Sequence, residues 1–367
     1  LERVLVRTNP GDNAPFAKLL WGECALRALR EIPDNSVHAV ITDLPTPGIG
    51  DNKLSSDWPE VRFSPYENSG FEIKIPGGDS PFGGESSVEE FIGHAVCIFR
   101  ELQRVLRPDG TLWFHVRDRY SEKQLSMIPQ RLALALQAEG WLLRNEIIWQ
   151  RDNTTPESAR DRLTRTHGTV FFFAHPDSTK KESWYYFDAD SIREPHVSKD
   201  EKHLKSYNKQ LSVGEGFARR PEIDHAWHPK GRNKRTVWSV NLGAYLGKSV
   251  SPWPMDLVEP MVKASVSAGG VCADCGVPLV RTPEDVWERT CDHVGGKISR
   301  PTVLDPFAGT CVTGRAAMDW GANFIGIDYD QEVLSEARAR LEGLTHSRRV
   351  LQNPESPILD LFSGGGR

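Results

Sequence analysis

Three thiols and an imidazole recur at short spacing as Cys272-x2-Cys275-x15-Cys291-x-His293. Thiolate and imidazole are the donors zinc takes in a tetrahedral shell, and four protein donors close that shell. The spacing predicts a structural Zn2+ ion with no catalytic part, bracing an insert too small for its own core. Gly276 follows the first pair, as in a turn-bound knuckle. Cys24, Cys97 and Cys311 stand apart. This pattern suits a metal site in a reducing compartment and argues against a disulfide framework.

A second constellation is "VLDPFAGTCVTGRAA", a strand ending in a small-residue turn that opens a helix. Such a turn lets main-chain N–H groups approach a ligand closely. Asp328 ends the next strand, ~20 residues on, the distance at which an acid can bond the two hydroxyls of a ribose. The glycine pattern alone leaves a nucleotide-type fold without cofactor open.

The elements that must position these groups follow from hydrophobic periodicity. "AKLLWGE", "VHAVITDL", "TLWFHV", "WLLRNEIIWQ" and "GTVFFFAH" read as strands, with "RPDG" a turn before the third. "CALRALREI", "SVEEFIGHAVCIFRELQRVL", "PQRLALALQAEG", "PWPMDLVEPMVKASVSAGG" and "QEVLSEARARLEGL" read as helices, the second capped by Ser87. Residues 46–86, rich in Pro, Gly and Ser, read as a long functional loop. Strands alternating with helices predict an α/β layered fold.

The chain has 367 residues and a net charge of −5, which does not announce a nucleic-acid binder. Charge is unevenly spread, however: between His196 and Thr236 ten Lys/Arg face five acids. A basic island on an acidic body suits a polyanion, although a solvated insert has the same composition. No apolar run approaches the ~20 residues of a membrane span, and no secretory signal is visible. A cytoplasmic location is the expectation.

The wording of these segments resembles the amino-methylating DNA methyltransferases of restriction–modification systems. "DPFAGT" with "GIDYD" is similar to their S-adenosylmethionine loop. "LLWGECALRALREIPDNSVHAVITDLP", "ELQRVLRPDGTLWFHVRDRY", "RNEIIWQRDNTTPES", "YYFDADSIREP", "NKRTVWSV" and "SPWP" are similar to their other segments. The catalytic segment precedes the cofactor loop, the permuted order of the beta class.

That resemblance implies a Rossmann-like α/β fold with a mostly parallel seven-stranded sheet, an inserted recognition region and a zinc knuckle. Residues 1–150 would form the catalytic half, 151–245 the target-recognition region, and 246–345 the cofactor half with the knuckle at 270–295. Residues 346–367 would be a tail. Its "ILDLFSGGGR" looks like the start of a second cofactor strand, and no function is placed on it. Glu23, Ser251, Asp305, Phe307, Ala308, Gly309, Thr310, Cys311 and Asp328 would hold S-adenosylmethionine.

The catalytic motif is implied to be Asp43, Leu44, Pro45 and Thr46. An exocyclic amine is a poor nucleophile because its lone pair is delocalised into the base, which must also leave the duplex stack. A carboxylate and a main-chain carbonyl can accept its two hydrogens and localise that lone pair. Asp43 keeps the carboxylate, and Leu44 keeps a carbonyl without proline's fixed φ. Thr46 cannot stack on a base, so Trp58, Phe63 or Tyr66 are the candidate rings. Cys311 replaces a glycine, placing a side chain in the cofactor's expected path.

Double-stranded DNA is the expected partner, with basic residues of the island and Arg160, Arg162 and Arg165 along its path. The resemblance leaves a homodimer and a cognate restriction nuclease open as further partners. It implies a bacterial or phage-infected cell. The two altered motifs leave two other readings: a DNA-binding protein on a catalytically impaired methyltransferase scaffold, and a transferase for an unusual base or group. Adenine and cytosine both remain as targets.

Overall fold

The computed structural model describes residues 2–7, 14–46, 56–179, 184–196, 228–243, 253–293 and 295–343. Nine strands form one sheet: β1 (Glu2–Arg7), β2 (Phe16–Trp21), β3 (Val37–Asp43), β4 (Leu106–His115), β5 (Leu142–Gln150), β6 (His167–Ala174), β7 (Val237–Ser239), β8 (Thr302–Asp305) and β9 (Asn323–Asp328). Their spatial order is β1-β2-β9-β8-β3-β4-β6-β5-β7. The run from β2 to β4 is parallel throughout, β6 is antiparallel to both its neighbours, and β1 is antiparallel to β2.

The sheet thus exceeds the expected seven strands by one at each edge. At one edge β1 pairs along its whole length with β2. At the other, three residues of β7 lie parallel to β5, Trp149 beside Trp238. Neither edge strand has the continuous apolar run that marks a strand covered on both faces.

Interior strands have that run because helices cover both sides. The helices are α1 (Ala25–Leu29), α2 (Val88–Val105), α3 (Ile128–Ala138), α4 (Met255–Ser265), α5 (Val312–Asp319) and α6 (Leu334–Glu342). Side chains alternate across the sheet. Val40, Phe171 and Phe173 pack with α2 and α3 in one apolar cluster, and Ala39, Ile41 and Phe172 pack with α4 and α5 in the other. Ser87 caps α2 as expected, accepting the Glu90 N–H at 3.1 Å, a device that stabilises a helix by about 1 kcal/mol.

Three local expectations change. The "RPDG" segment is no separate turn: β4 runs through it from Leu106, and the register shift opposite Val37 and Ala39 absorbs the extra residues. Within residues 46–86, Ser56–Trp58 pairs with Gly78–Ser80, and Val61–Phe63 with Ile73–Ile75. Val61, Phe63 and Ile75 bury themselves with α2, so residues 56–86 are packed structure, while 47–55 lie outside the described residues. Helix α1 is a short turn of five residues, shorter than its periodicity suggests.

The topology selects one end of the sheet for chemistry. From β3 the chain proceeds outward to β4, and from β8 it proceeds the other way to β9. Adjacent β3 and β8 therefore form a switch point, and ligands of open α/β sheets bind there, beyond the carboxyl ends of the strands. Asp43 and Asp305 end those two strands. Among the described residues no helix is long and apolar enough to cross a membrane.

Candidate functional site

The turn after β8 is built around Asp305. This carboxylate is buried and accepts hydroxyl bonds from Thr42 and Thr313, each at 2.7 Å, and the Phe307 N–H at 3.1 Å. Desolvation nevertheless pushes it up to about 7. The Ala308 N–H bonds the Ile327 carbonyl at 2.9 Å, and Cys311 N–H closes the turn on Ala308 at 2.7 Å. Arg340 of α6 donates to the Thr310 carbonyl at 3.0 Å and to its hydroxyl. Gly309 has φ +48 and open space where a side chain would stand, so a ligand can approach its main chain.

Cys311 adopts a left-handed conformation, φ 58, immediately before α5. Its thiol is fully buried in the apolar cluster behind the turn. Burial raises the thiol far above its usual range, so it packs as a small neutral hydrophobe.

Asp328 faces this turn from the end of β9. It accepts the Gly309 N–H at 2.7 Å and the Asp330 N–H at 2.9 Å, while desolvation pushes it up to about 6. A cleft opens here, lined by Glu23, Pro45, Trp58, Phe82, Phe307, Asp328 and Tyr329. Phe307 stacks on Phe82 at 5.3 Å between centroids, and Trp58 lies beside Phe82. The Glu23 carboxylate accepts the Cys24 N–H at 3.1 Å. Four expected site residues, Glu23, Pro45, Phe307 and Asp328, thus meet in one cleft; Ser251 lies outside the described residues, as does the tail.

The cleft's chemistry fits S-adenosylmethionine. Its lining offers the Asp328 carboxylate and two stacked rings, Phe307 and Phe82, and the open main chain of Gly309 adjoins it through the bond to Asp328.

Asp43 lies one strand away from Asp305 and is partly exposed. His115 lies opposite it on β4, and the His115 Nδ1 to Asp43 Oδ1 distance is 2.7 Å. The Leu44 N–H donates to the His115 carbonyl at 2.9 Å. Trp149 meets the His115 ring edge-on at 5.4 Å, and the Arg151 guanidinium lies over Trp149 at 5.0 Å. Burial and the charges of Arg117 and Arg165 hold Arg151 below its usual range, with Asp43 acting the other way.

Of the candidate rings, Trp58 is buried in the cleft and stacks on His94 at 4.1 Å, while Phe63 belongs to the core. Tyr66 is exposed and meets Phe71 at 6.5 Å. Thr46 is half-buried at the end of a described stretch. His115, Trp149 and Arg151 are additions that the sequence reading passed over. The one hint was a lone imidazole closing the apolar run "TLWFHV".

The cysteine cluster sits at the opposite end of β3. Donor atoms of Cys272, Cys275, Cys291 and His293 all lie within 4.8 Å of one another, which fits the tetrahedral S/N shell of zinc. The main-chain N–H of Cys275 helps hold the Cys272 thiol down at about 7. Val271–Cys272 pairs with Ile298–Ser299, closing the insert at its base. His38, near the start of β3, bonds the Gly276 carbonyl at 3.1 Å, and Arg107 bonds the Cys275 carbonyl at 3.0 Å. From His38 to Asp43 is about 17 Å along the strand.

Most of the basic island lies outside the described residues. Its described ends form a neck: Glu194 and Arg232 exchange main-chain bonds of 2.9 and 2.8 Å. Arg162 pairs with Glu157 at 3.0 Å and lies over Tyr120, and Arg165 is 3.5 Å from Asp118. Arg160 is exposed.

Comparison with known proteins identifies the family of the chain. The family model described as DNA methylase, of the N6/N4 methyltransferase type, matches residues 37–275 and 295–339. The type II methyltransferase M.Cfr9I of Citrobacter freundii is 28% identical over 89% of this chain and 88% of its own. M.SmaI of Serratia marcescens is 29% identical over 72% and 78%. The structure of the cytosine-N4-specific PvuII DNA methyltransferase aligns at 13% identity over 91% of each chain, with a TM-score of 0.49. With the matched model spanning both the strand that carries Asp43 and the turn that faces Asp328, the chain belongs to the N6/N4 DNA methylase family: it is an S-adenosylmethionine-dependent DNA amino-methyltransferase.

Proposed function

We propose that the altered motif "TDLPTP" is a competent catalytic site and that Asp43 and the Leu44 carbonyl orient the target amine. Each accepts one N–H of an exocyclic amine on adenine or cytosine, which withdraws the lone pair from the ring and aims it. Asp43 is also the base nearest the proton that the amine must lose. S-adenosylmethionine, when bound, supplies an electrophilic methyl group on a sulfonium. Asp328 would accept the ribose hydroxyls, and Phe307 and Glu23 would hold the adenine. The turn from Asp305 through Cys311 presents main chain to the rest, with Ser251 expected at the methionine end. The buried thiol of Cys311 leaves that path open.

The observation that carries this reading is the meeting of Glu23, Pro45, Phe307 and Asp328 in one cleft. Pro45 adjoins the Leu44 carbonyl, so the motif borders the cofactor cleft directly. Residues 151–245 form the target-recognition region in this reading, and Arg151, Arg160, Arg162 and Arg165 line the duplex path. The Cys272, Cys275, Cys291 and His293 set holds structural zinc. Purified protein incubated with duplex DNA and labelled donor tests the assignment, with modified-base sequencing of the product. Methyl on an exocyclic amine, absent with Asp43→Ala, is the expected result; an Asp43→Ala variant as fast as the parent sinks it.

A further inference from the structure

Both acceptors of the proposed amine site converge on one residue. The Asp43 carboxylate meets His115 Nδ1 at 2.7 Å, and the Leu44 main chain donates to the His115 carbonyl at 2.9 Å. A carboxylate can only accept, so Nδ1 carries the proton in this bond. Proline could not make the second bond, because it lacks an N–H. The leucine thereby gains an anchor that holds its carbonyl in place of a ring-fixed φ.

His115 is itself immobilised. It is buried, it ends a strand paired on both sides, and the Trp149 ring stands edge-on at 5.4 Å. Behind it, Gly168 leaves just enough room: a Cβ there would come within 2.7 Å of Nε2. A ring gripped in this way fixes the carboxylate it bonds, and catalysis by orientation depends on such fixing.

We infer that His115 is the positioning residue of the methyl-transfer site, aligning the Asp43 carboxylate through Nδ1–H and the Leu44 carbonyl through its own main chain. The inference rests on the reading of Asp43 as the amine's acceptor. An imidazole that only filled space would be replaceable by any side chain of its volume. A positioning donor is replaceable only by a group that puts an N–H where Nδ1 stands, and the Asn amide does so.

Steady-state methyl transfer to duplex DNA, with donor affinity and thermal midpoint recorded for each variant, separates these cases. His115→Leu is expected to lower kcat by about 100-fold, with KM for DNA and donor affinity unchanged. His115→Asn is expected to recover most of that loss. Gly168→Ala, which pushes on the ring from behind, is expected to lower kcat in the same manner and provides the test if His115→Leu does not fold. Leu and Asn variants of equal rate, fast or slow, would overturn the inference. A parent protein that binds donor and DNA but transfers no methyl would instead remove the reading of Asp43.

Discussion

Thr42 donates its hydroxyl to Asp305 at 2.7 Å, and this bond ties the strand ending in Asp43 to the turn that faces the cofactor cleft. Thr42 is buried, and so is its acceptor. Thr42→Val keeps the shape and removes the donor, leaving a desolvated carboxylate with one bond fewer. The expected cost is about 1–3 kcal/mol of folding stability, read as a lower urea midpoint, together with a raised KM for the donor.

Asp43→Asn keeps size and polarity but turns the carboxylate into an amide. One face of that amide is a donor pointing at a donor amine, so orientation fails. Turnover is expected to fall by at least about 100-fold, while calorimetry finds donor affinity unchanged. Loss of donor binding in this variant would move Asp43 from the chemistry to the cleft.

Cofactor affinity should depend on pH through Asp328. In the proposed site the ionised carboxylate would accept two hydroxyls, and a protonated carboxyl is a poorer acceptor. Its value in the free protein is about 6. Binding that favours the ionised form strengthens as pH rises through 6 and levels off above it. Below 6 the dissociation constant should grow by up to about tenfold per pH unit. Calorimetric titrations from pH 5 to 8 check this, and Asp328→Asn should flatten the profile.

Arg151 is a partly buried cation beside Asp43, lying on Trp149 and repelled by Arg117 and Arg165. A phosphate arriving with an extruded nucleotide relieves that repulsion. Arg151→Ala should weaken DNA binding at low salt and reduce the slope of log affinity against log salt by about one unit. An unchanged slope would place the duplex elsewhere.

Metal analysis of gently purified protein should find about one zinc per chain. Cys291→Ser or chelation should lower the thermal midpoint. Because the cluster is fixed to the start of β3 and Asp43 to its end, turnover per folded molecule should hold. A matching loss of turnover in folded protein would give the knuckle a second task.

The sequence revealed what is repeated locally. Strand β3 announces itself because every residue from Val37 to Ile41 is buried, and α2 because Ser87 and Glu90 mark its start. The clustered Cys272, Cys275, Cys291 and His293 donors and the Asp305 turn are likewise short-range patterns. His115 was hidden because 72 residues separate it from Asp43 and only strand pairing joins them. Arg340 reaches Thr310 across 30 residues by helix packing. Charged Glu2, Arg3 and Arg7 masked β1, and β7 is too short to show a period. The buried fate of Cys311 depended on its backbone twist, since φ 58 turns the side chain with the turn itself.

The paired main-chain bonds of Glu194 and Arg232 fix the two ends of the stretch between them side by side. Where two ends are fixed in this way, doubling the length of a flexible connection adds only about 0.6 kcal/mol of closure entropy. An engineer exchanging the residues between 194 and 232 for a relative's therefore has a natural seam at which to cut.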